Sequence, residues 1–312
     1  MIKKLVLLNI LVFILFAQVV FASEDNLYSK SFGKKENPAI IFLHGGPGFN
    51  SYNFEFSTAE KLANEGFYVI VYDQKGNGRS KNLKNIKYTF DEYNKDLNEI
   101  YIKYQIKKAS LIGHSFGGTV ALKYADKNYD KVTNLILTGS PISYQKTFEA
   151  ILDNCNDRYK KYMPQNLKYI DIIKKMDKNS LDYSQASFFN AINCGLYFTK
   201  NQTNEAKDIY NNLLKSKESF LLTDSSFEPV KGFYDNEHYT SLDLTKDLTN
   251  LTKKIKVFAI YGEEDGLFEK NQLNDIKNIL GDKNFILIKG ASHNIFIDQQ
   301  KEFINNIKVY IK

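Results

Sequence analysis

From Pro38 onward the chain alternates between short unbroken apolar runs and longer stretches in which apolar residues recur every three or four positions. AIIFL (Ala39 to Leu43), FYVIVY (Phe67 to Tyr72), ASLIG (Ala109 to Gly113) and VTNLILTG (Val132 to Gly139) are rich in β-branched residues and lack the regular alternation of a strand with one wet face. They predict parallel strands buried on both faces. Between the second and third runs, TFDEYNKDLNEIYIKY opens with Thr89 and Glu92 at capping-box spacing and sets Tyr93, Leu97, Ile100, Tyr101 and Tyr104 on one side of a helix. That segment predicts a crossover helix.

The alternation halts at Ser140-Pro141 and returns at KIKVFAIYG (Lys254 to Gly262), followed by a helix near Glu269 to Leu280, the strand NFILIKG and a last helix from about Asp298. Strands in turn with helices define an α/β chain with a mostly parallel central sheet and helices on both faces. Residues 141–250 carry amphipathic stretches such as TFEAILDNCNDRYKKYM and many Tyr and Phe residues, but no comparable strand-length runs. They predict an inserted helical cap between two core segments, 23–140 and 251–312, and helical spacing makes most of their aromatics the insertion's own core.

Length and charge narrow the picture. At 312 residues and 43% hydrophobic, the chain can bury one large core with a sizeable insertion, and no repeat period is visible. The formal charge of +6 comes from lysines spread along the whole chain. Without a basic stripe and interleaved aromatic platform, nucleic acid is excluded as a partner.

The first 22 residues read separately. Lys3 and Lys4 precede an apolar run from Leu5 to Phe21, and VFA (Val20 to Ala22) sets small residues where an export peptidase reads them before Ser23. The run is short for a membrane span and is interrupted by Asn9 and Gln18, so residues 1–22 predict a cleaved signal peptide. The mature protein would be exported, periplasmic or secreted, without stable membrane insertion; the alternative is an uncleaved anchor. Cleavage removes two lysines and leaves +4. Cys155 and Cys194, the two cysteines, then meet an oxidising compartment, either as a disulfide or as two buried thiols.

The candidate chemistry starts at LIGHSFGG, Leu111 to Gly118, which puts Ser115 between two glycines after a strand and before a helix. That is the context of a nucleophile held on a tight strand-to-helix turn. A serine hydroxyl needs a general base, and the base needs a third group to fix its tautomer. Of the four histidines, His44 and His114 sit on tight turns as loop struts and His238 lies in the insertion. His293, in KGASHNIF, follows a strand end, where a parallel sheet delivers catalytic side chains. FAIYGEEDGLF supplies Asp265 at the preceding strand end, with Glu263 and Glu264 as weaker candidates. The order Ser115, Asp265, His293 is that of the nucleophile-elbow arrangement. HGGPG, after the first central strand, supplies the loop whose backbone N–H groups, with that of Phe116, would receive an oxyanion. No metal or organic cofactor is implied.

LHGGPG (Leu43 to Gly48), YDQKGNGRS (Tyr72 to Ser80) and GHSFGG together resemble the proline iminopeptidase group of α/β-hydrolases, serine exopeptidases that release an N-terminal residue, often proline. The resemblance covers most of 38–139 and 254–312. It implies the α/β-hydrolase fold, Ser115 as nucleophile with Asp265 and His293 completing the triad, and Gly46 and Phe116 as oxyanion-hole donors. By it Asp73 and Arg79 brace their loop. The chain departs from the group in having Phe116 where Trp or Tyr usually follows the serine, and Gly266 where some members carry a substrate-holding glutamate. DNEHY (Asp235 to Tyr239) resembles the other amine-binding segment and makes Glu237 the implied substrate anchor, ahead of Glu228 and Glu205. The reading is an aminopeptidase acting on short peptides or aminoacyl amides. Its rivals are an esterase or amidase for small apolar acyl groups, and a non-catalytic binding protein on the same fold.

Overall fold

The computed structural model describes residues 26–311, so the expected signal peptide lies outside the described residues. Seven strands form one sheet in the order β1-β3-β2-β4-β5-β6-β7. They are β1 (Ser29–Phe32), β2 (Ala39–Leu43), β3 (Tyr68–Tyr72), β4 (Ala109–His114), β5 (Val132–Thr138), β6 (Lys256–Gly262) and β7 (Phe285–Ile288). All neighbours pair in parallel except β1, which runs antiparallel on the edge with Ser29 opposite Tyr72. β1 has no signature in the sequence, because SKSF is short and carries one apolar residue; pairing to β3 makes it a strand.

The unbroken apolar runs become strands that feed two cores at once. Ile41, Leu43, Ile70, Leu111, Leu135, Leu137 and Tyr261 point to one face, and Ile40, Phe42, Val69, Ile112, Ile136 and Ile260 to the other. A strand with water on one side would need polar residues at every second position, so burial on both faces is what the continuous pattern encodes. The Phe90–Lys103, Phe116–Lys127 and Lys270–Leu280 helices cover the first face. The 52–64 helical segment and the Gln300–Ile311 helix cover the second. Thr89 caps Phe90–Lys103 as the sequence predicts, its hydroxyl accepting the N–H of Glu92 at 3.2 Å. The reciprocal half of the capping box is absent, because Glu92 Oε2 accepts instead from the N–H groups of Lys87 and Tyr88.

Between β5 and β6 the chain forms helices Tyr144–Tyr162, Leu167–Ile173, Leu181–Asn193, Asn204–Lys215, Phe227–Glu237 and Thr245–Leu251. In this stretch the only β pairing among the described residues is a single bridge between Ser143 and Asp243. Among the described residues no helix is long and apolar enough to cross a membrane. A disulfide joins Cys155, on the first insertion helix, to Cys194, at the end of Leu181–Asn193, with their Cα atoms 5.8 Å apart.

That disulfide closes a loop with a sequence separation of 39 residues. Loop-closure entropy assigns it roughly 3 to 4 kcal/mol of stabilisation. Replacing Cys155 and Cys194 together by alanine is expected to lower the urea midpoint accordingly, and an unchanged midpoint would show that the bridge does not stabilise the fold.

Candidate active site

β4 ends at His114, and the chain turns through Ser115 into the Phe116–Lys127 helix. Ser115 takes φ +54° and ψ −126°, a conformation that L-residues rarely adopt and that stores on the order of 1 to 3 kcal/mol. The turn closes only because its neighbours are glycines. A Cβ on Gly117 would overlap the carbonyl oxygen of Leu43, and one on Gly113 would lie 2.7 Å from the carbonyl oxygen of Gly117. The Ser115 side chain is left half-exposed at the carboxyl ends of the strands, and its N–H bonds Thr138 O across to β5.

The ends of β6 and β7, beyond β5, carry the other candidate groups. Asp265, after β6, and His293, after β7, are both buried, and His293 Nδ1 donates to Asp265 Oδ2 at 2.8 Å. The second oxygen, Oδ1, accepts the N–H of Leu267 at 3.1 Å, which fixes the carboxylate plane. With Nδ1–H donating to Asp265, the neutral tautomer of His293 presents Nε2 as an acceptor. His114 links the serine turn to this pair, since its Nε2 donates to His293 O at 3.0 Å and the two rings lie 4.7 Å apart. Burial, with the neighbouring His293 adding to it, pushes His114 well below its ordinary pKa and keeps it neutral. Glu263 and Glu264 are not bonded to His293, and Glu264 Oε2 accepts the N–H of Lys200.

The HGGPG loop packs against the turn, with a Cβ on Gly45 placed 2.9 Å from the Cβ of Ser115. His44 is a loop strut, as expected. Its Nε2 accepts the N–H of Gln74 at 3.0 Å, so Nδ1 carries the proton and donates to Gly45 O at 2.7 Å. Burial lowers its pKa, which preserves that neutral tautomer. Gly46 sits at φ +129° in the tight part of the loop. Phe116 is the first residue of its helix, so its N–H has no intrahelical acceptor. Its ring packs in a cluster with Phe90, Phe233 and Tyr239.

The loop after β3 braces this one. Asp73 is fully buried, accepting from Ser51 N and Oγ through Oδ1 and from Arg79 N and Nε through Oδ2. Arg79 also pairs with Glu55 at 3.0 Å and lies 3.4 Å over the Tyr28 ring. Burial alone would raise the Asp73 pKa, but the Arg79 bonds and charge, with Ser51, outweigh it and hold the carboxyl below its usual range. Asn77 completes the brace by accepting the N–H of Gly48 at 2.7 Å.

Glu237 is engaged at a helix start. Its Oε1 accepts the N–H of Phe90 at 2.8 Å, so the structure uses this carboxylate at the start of the Phe90–Lys103 helix. Glu205 is on the surface, 3.6 Å from Lys61. Glu228 is exposed on the first turn of the Phe227–Glu237 helix. Two features near His293 have no signal in the sequence. Asp298, pushed up to about 6 by burial, accepts from Ser292 N and from the hydroxyl of Tyr210 in the insertion. Tyr197, also in the insertion, sets its ring edge-on to His293 with centroids 5.0 Å apart. Helical periodicity marks neither, because their importance lies in a contact between distant segments. Among the described residues, no three His, Cys, Asp or Glu side chains converge in a way that could hold a metal ion.

A mostly parallel sheet with a serine on a strained strand-to-helix turn, and a carboxylate-bonded histidine at the ends of two further strands, is the arrangement of a hydrolase of the α/β class. A family model described as the alpha/beta hydrolase fold matches residues 38–300, and the chain belongs to that family. Within the family it is proline iminopeptidase-like. It is 24% identical over 290 residues to the proline iminopeptidase PfmaB of Pestalotiopsis fici, covering 90% of this chain and 94% of that one. It is 27% identical over 296 residues to a proline iminopeptidase of Saccharolobus solfataricus, covering 92% and 89%. Its fold matches the crystal structure of a proline iminopeptidase-related protein from Thermus thermophilus with a TM-score of 0.65 at 23% identity, over 91% of this chain and 92% of that one.

The Asp73 network is testable by pH. Arg79→Met leaves Asp73 buried without its cation, while Glu55 keeps Lys30 at 3.2 Å, and is expected to cost roughly 3 to 5 kcal/mol at pH 7. Because the folded-state pKa of Asp73 is depressed, its contribution is present above the ordinary carboxylate range and is lost as pH falls below it. The gap between wild type and variant in urea unfolding should therefore narrow between pH 7 and pH 3. A gap that stays constant would mean that Asp73 charge is not what Arg79 stabilises.

Proposed function

We propose that the protein is a serine hydrolase in which Ser115 is the nucleophile, His293 the general base and Asp265 the group that orients it. The observation that carries this reading is the 2.8 Å bond from His293 Nδ1 to Asp265 Oδ2 at the sheet edge that also presents Ser115. His293 Nε2 takes the Ser115 Oγ proton as Oγ bonds to the substrate carbonyl carbon. The carbonyl oxygen becomes an oxyanion received by the N–H groups of Gly46 and Phe116. Collapse of that intermediate breaks the bond to the leaving group, which takes the proton from His293, and leaves an acyl-enzyme. Water, deprotonated by the same histidine, then releases the acid and restores Ser115.

For the substrate we infer short peptides or aminoacyl amides with a free N-terminus, so that the enzyme is an exopeptidase. The similarity to proteins named proline iminopeptidases over about nine-tenths of the chain supports this. A second reading, an esterase or amidase for small apolar acyl groups, is favoured by one observation. The carboxylate of Glu237 is already engaged by Phe90 N–H, and Gly266 carries no side chain to replace it.

Ser115→Ala is expected to lower turnover at least about a thousandfold while leaving the fold intact, and a fluorophosphonate probe should label the wild type and spare the variant. Labelling of another residue, or retained turnover, would remove Ser115 from the role. The anchor role that the peptidase reading gives Glu237 is tested by Glu237→Gln, which keeps an oxygen for Phe90 N–H and removes the charge. A charge-assisted bond to a substrate ammonium is worth about 1.5 to 3 kcal/mol. The variant should therefore raise KM for prolyl and alanyl amides roughly ten- to a hundredfold and leave N-blocked amides and short-chain esters nearly unchanged. Equal effects on both classes, or none on either, would remove Glu237 as the ammonium anchor, and wild-type turnover of esters and N-blocked amides above that of free-amine amides would select the esterase reading.

A further inference from the structure

One backbone carbonyl in the insertion joins the two loops that carry Asp265 and His293. Leu196 O accepts the hydroxyl of Ser292 at 2.9 Å and the N–H of Gly266 at 3.4 Å. Ser292 immediately precedes His293, and Gly266 immediately follows Asp265. The residue after Leu196 is Tyr197, whose ring meets that of His293 at 5.0 Å and 87°.

The segment that does this is itself held from several directions. Cys194 is tied to Cys155 by the disulfide. Arg158, nearly one turn further along the same helix, donates from one guanidinium nitrogen to the carbonyls of Cys194 and Gly195 at 2.9 and 2.8 Å. Asn154, beside Cys155, donates to Gly266 O at 2.9 Å. Downstream, Lys200 N–H bonds Glu264 Oε2 at 2.7 Å. The approach is close enough that a Cβ on Gly266 would lie 2.6 Å from Leu196 Cδ2, so glycine is the residue that lets the segment seat.

From this geometry we infer that Tyr197 is a positioning residue for His293, delivered by a clamp, residues 194–200, that the first insertion helix anchors. The inference rests on the reading of His293 as the base of Ser115. During turnover that imidazole alternates between neutral and protonated forms and must keep Nδ1 on Asp265 in both. An aromatic edge-on contact holds the ring plane and keeps water from the Asp265–His293 bond, and the Leu196 carbonyl holds the two loops in register. A misplacement of about 1 Å at such a site costs on the order of a hundredfold in rate.

The test uses the full-length protein and a fluorophosphonate probe, whose reaction needs an activated serine but no knowledge of the natural substrate. Tyr197→Ala is expected to lower the maximal labelling rate of Ser115 by about 10- to 100-fold, with the half-saturating probe concentration unchanged and labelling still reaching one probe per chain. Tyr197→Phe, which restores the ring, should return the rate to within about twofold of wild type. Arg158→Ala loosens the clamp from outside the site and should slow labelling several-fold in the same sense, even where Tyr197→Ala folds poorly. Wild-type rates in both Tyr197→Ala and Arg158→Ala, or a Tyr197→Phe rate as low as that of the alanine variant, would overturn the inference. Failure of wild-type Ser115 to label would instead overturn the triad reading beneath it.

Discussion

Where β4 runs out, several stretches of backbone converge with no room between them for a side chain, and the rest of the site follows from that. The carbonyl of Leu43 presses on Gly117, Gly113 packs against Gly118, and Gly118 lies against Ser140. Only a sharp turn fits there, and Ser115 occupies it at positive φ. The turn raises the serine hydroxyl toward solvent and starts a helix at Phe116, whose first N–H groups point back at the same spot. It also pushes His114 under the neighbouring loop, where its Nε2 reaches His293 O. The strain at one residue is held by packing on every side, and the sheet beneath is buried on both faces, so the turn has no softer conformation to relax into.

Around that turn the same side chain is put to different uses by its partners. His44, His114 and His293 are all buried. His44 and His114 each donate to a backbone carbonyl and are kept neutral by burial, so they serve as struts. His293 alone donates to a carboxylate, and that bond fixes its tautomer with Nε2 left as the acceptor. Asp73 and Asp265 divide in the same way. Asp73 saturates both oxygens with Ser51 and Arg79 and stiffens a loop, while Asp265 uses one oxygen on its own turn and presents the other to His293.

The insertion is coupled to these loops through backbone atoms as well as side chains. Gly48 takes part on the HGGPG-loop side, its carbonyl accepting the N–H of Ser226, and Leu196 takes part on the Asp265 and His293 side. Gly266 illustrates the geometry. A side chain at that position would have to occupy the space that Leu196 fills, its Cβ falling 2.6 Å from Leu196 Cδ2 and 3.0 Å from Leu196 Cβ.

The strands Ala39–Leu43, Tyr68–Tyr72, Ala109–His114, Val132–Thr138 and Lys256–Gly262 were legible in the sequence to within a residue or two, because burial on both faces leaves continuous apolar runs that nothing else explains. The Ser115 turn was legible for a related reason: a glycine on either side of a serine, between a strand and a helix, is a local steric requirement written in adjacent residues. The chain order of Ser115, Asp265 and His293 at strand ends was readable too, since a parallel sheet sends every strand end to the same edge. What the tertiary structure alone decided were the contacts between segments far apart in the chain. β1 is a strand because β3 offers an edge, Cys155 and Cys194 meet because two insertion helices pack side by side, and Glu237 finds Phe90 across 147 positions. Tyr197 against His293 belongs to the same class. Periodicity and spacing record what a residue's own element requires of it, whereas a contact between elements depends on how their surfaces dock, and no short window of sequence carries that.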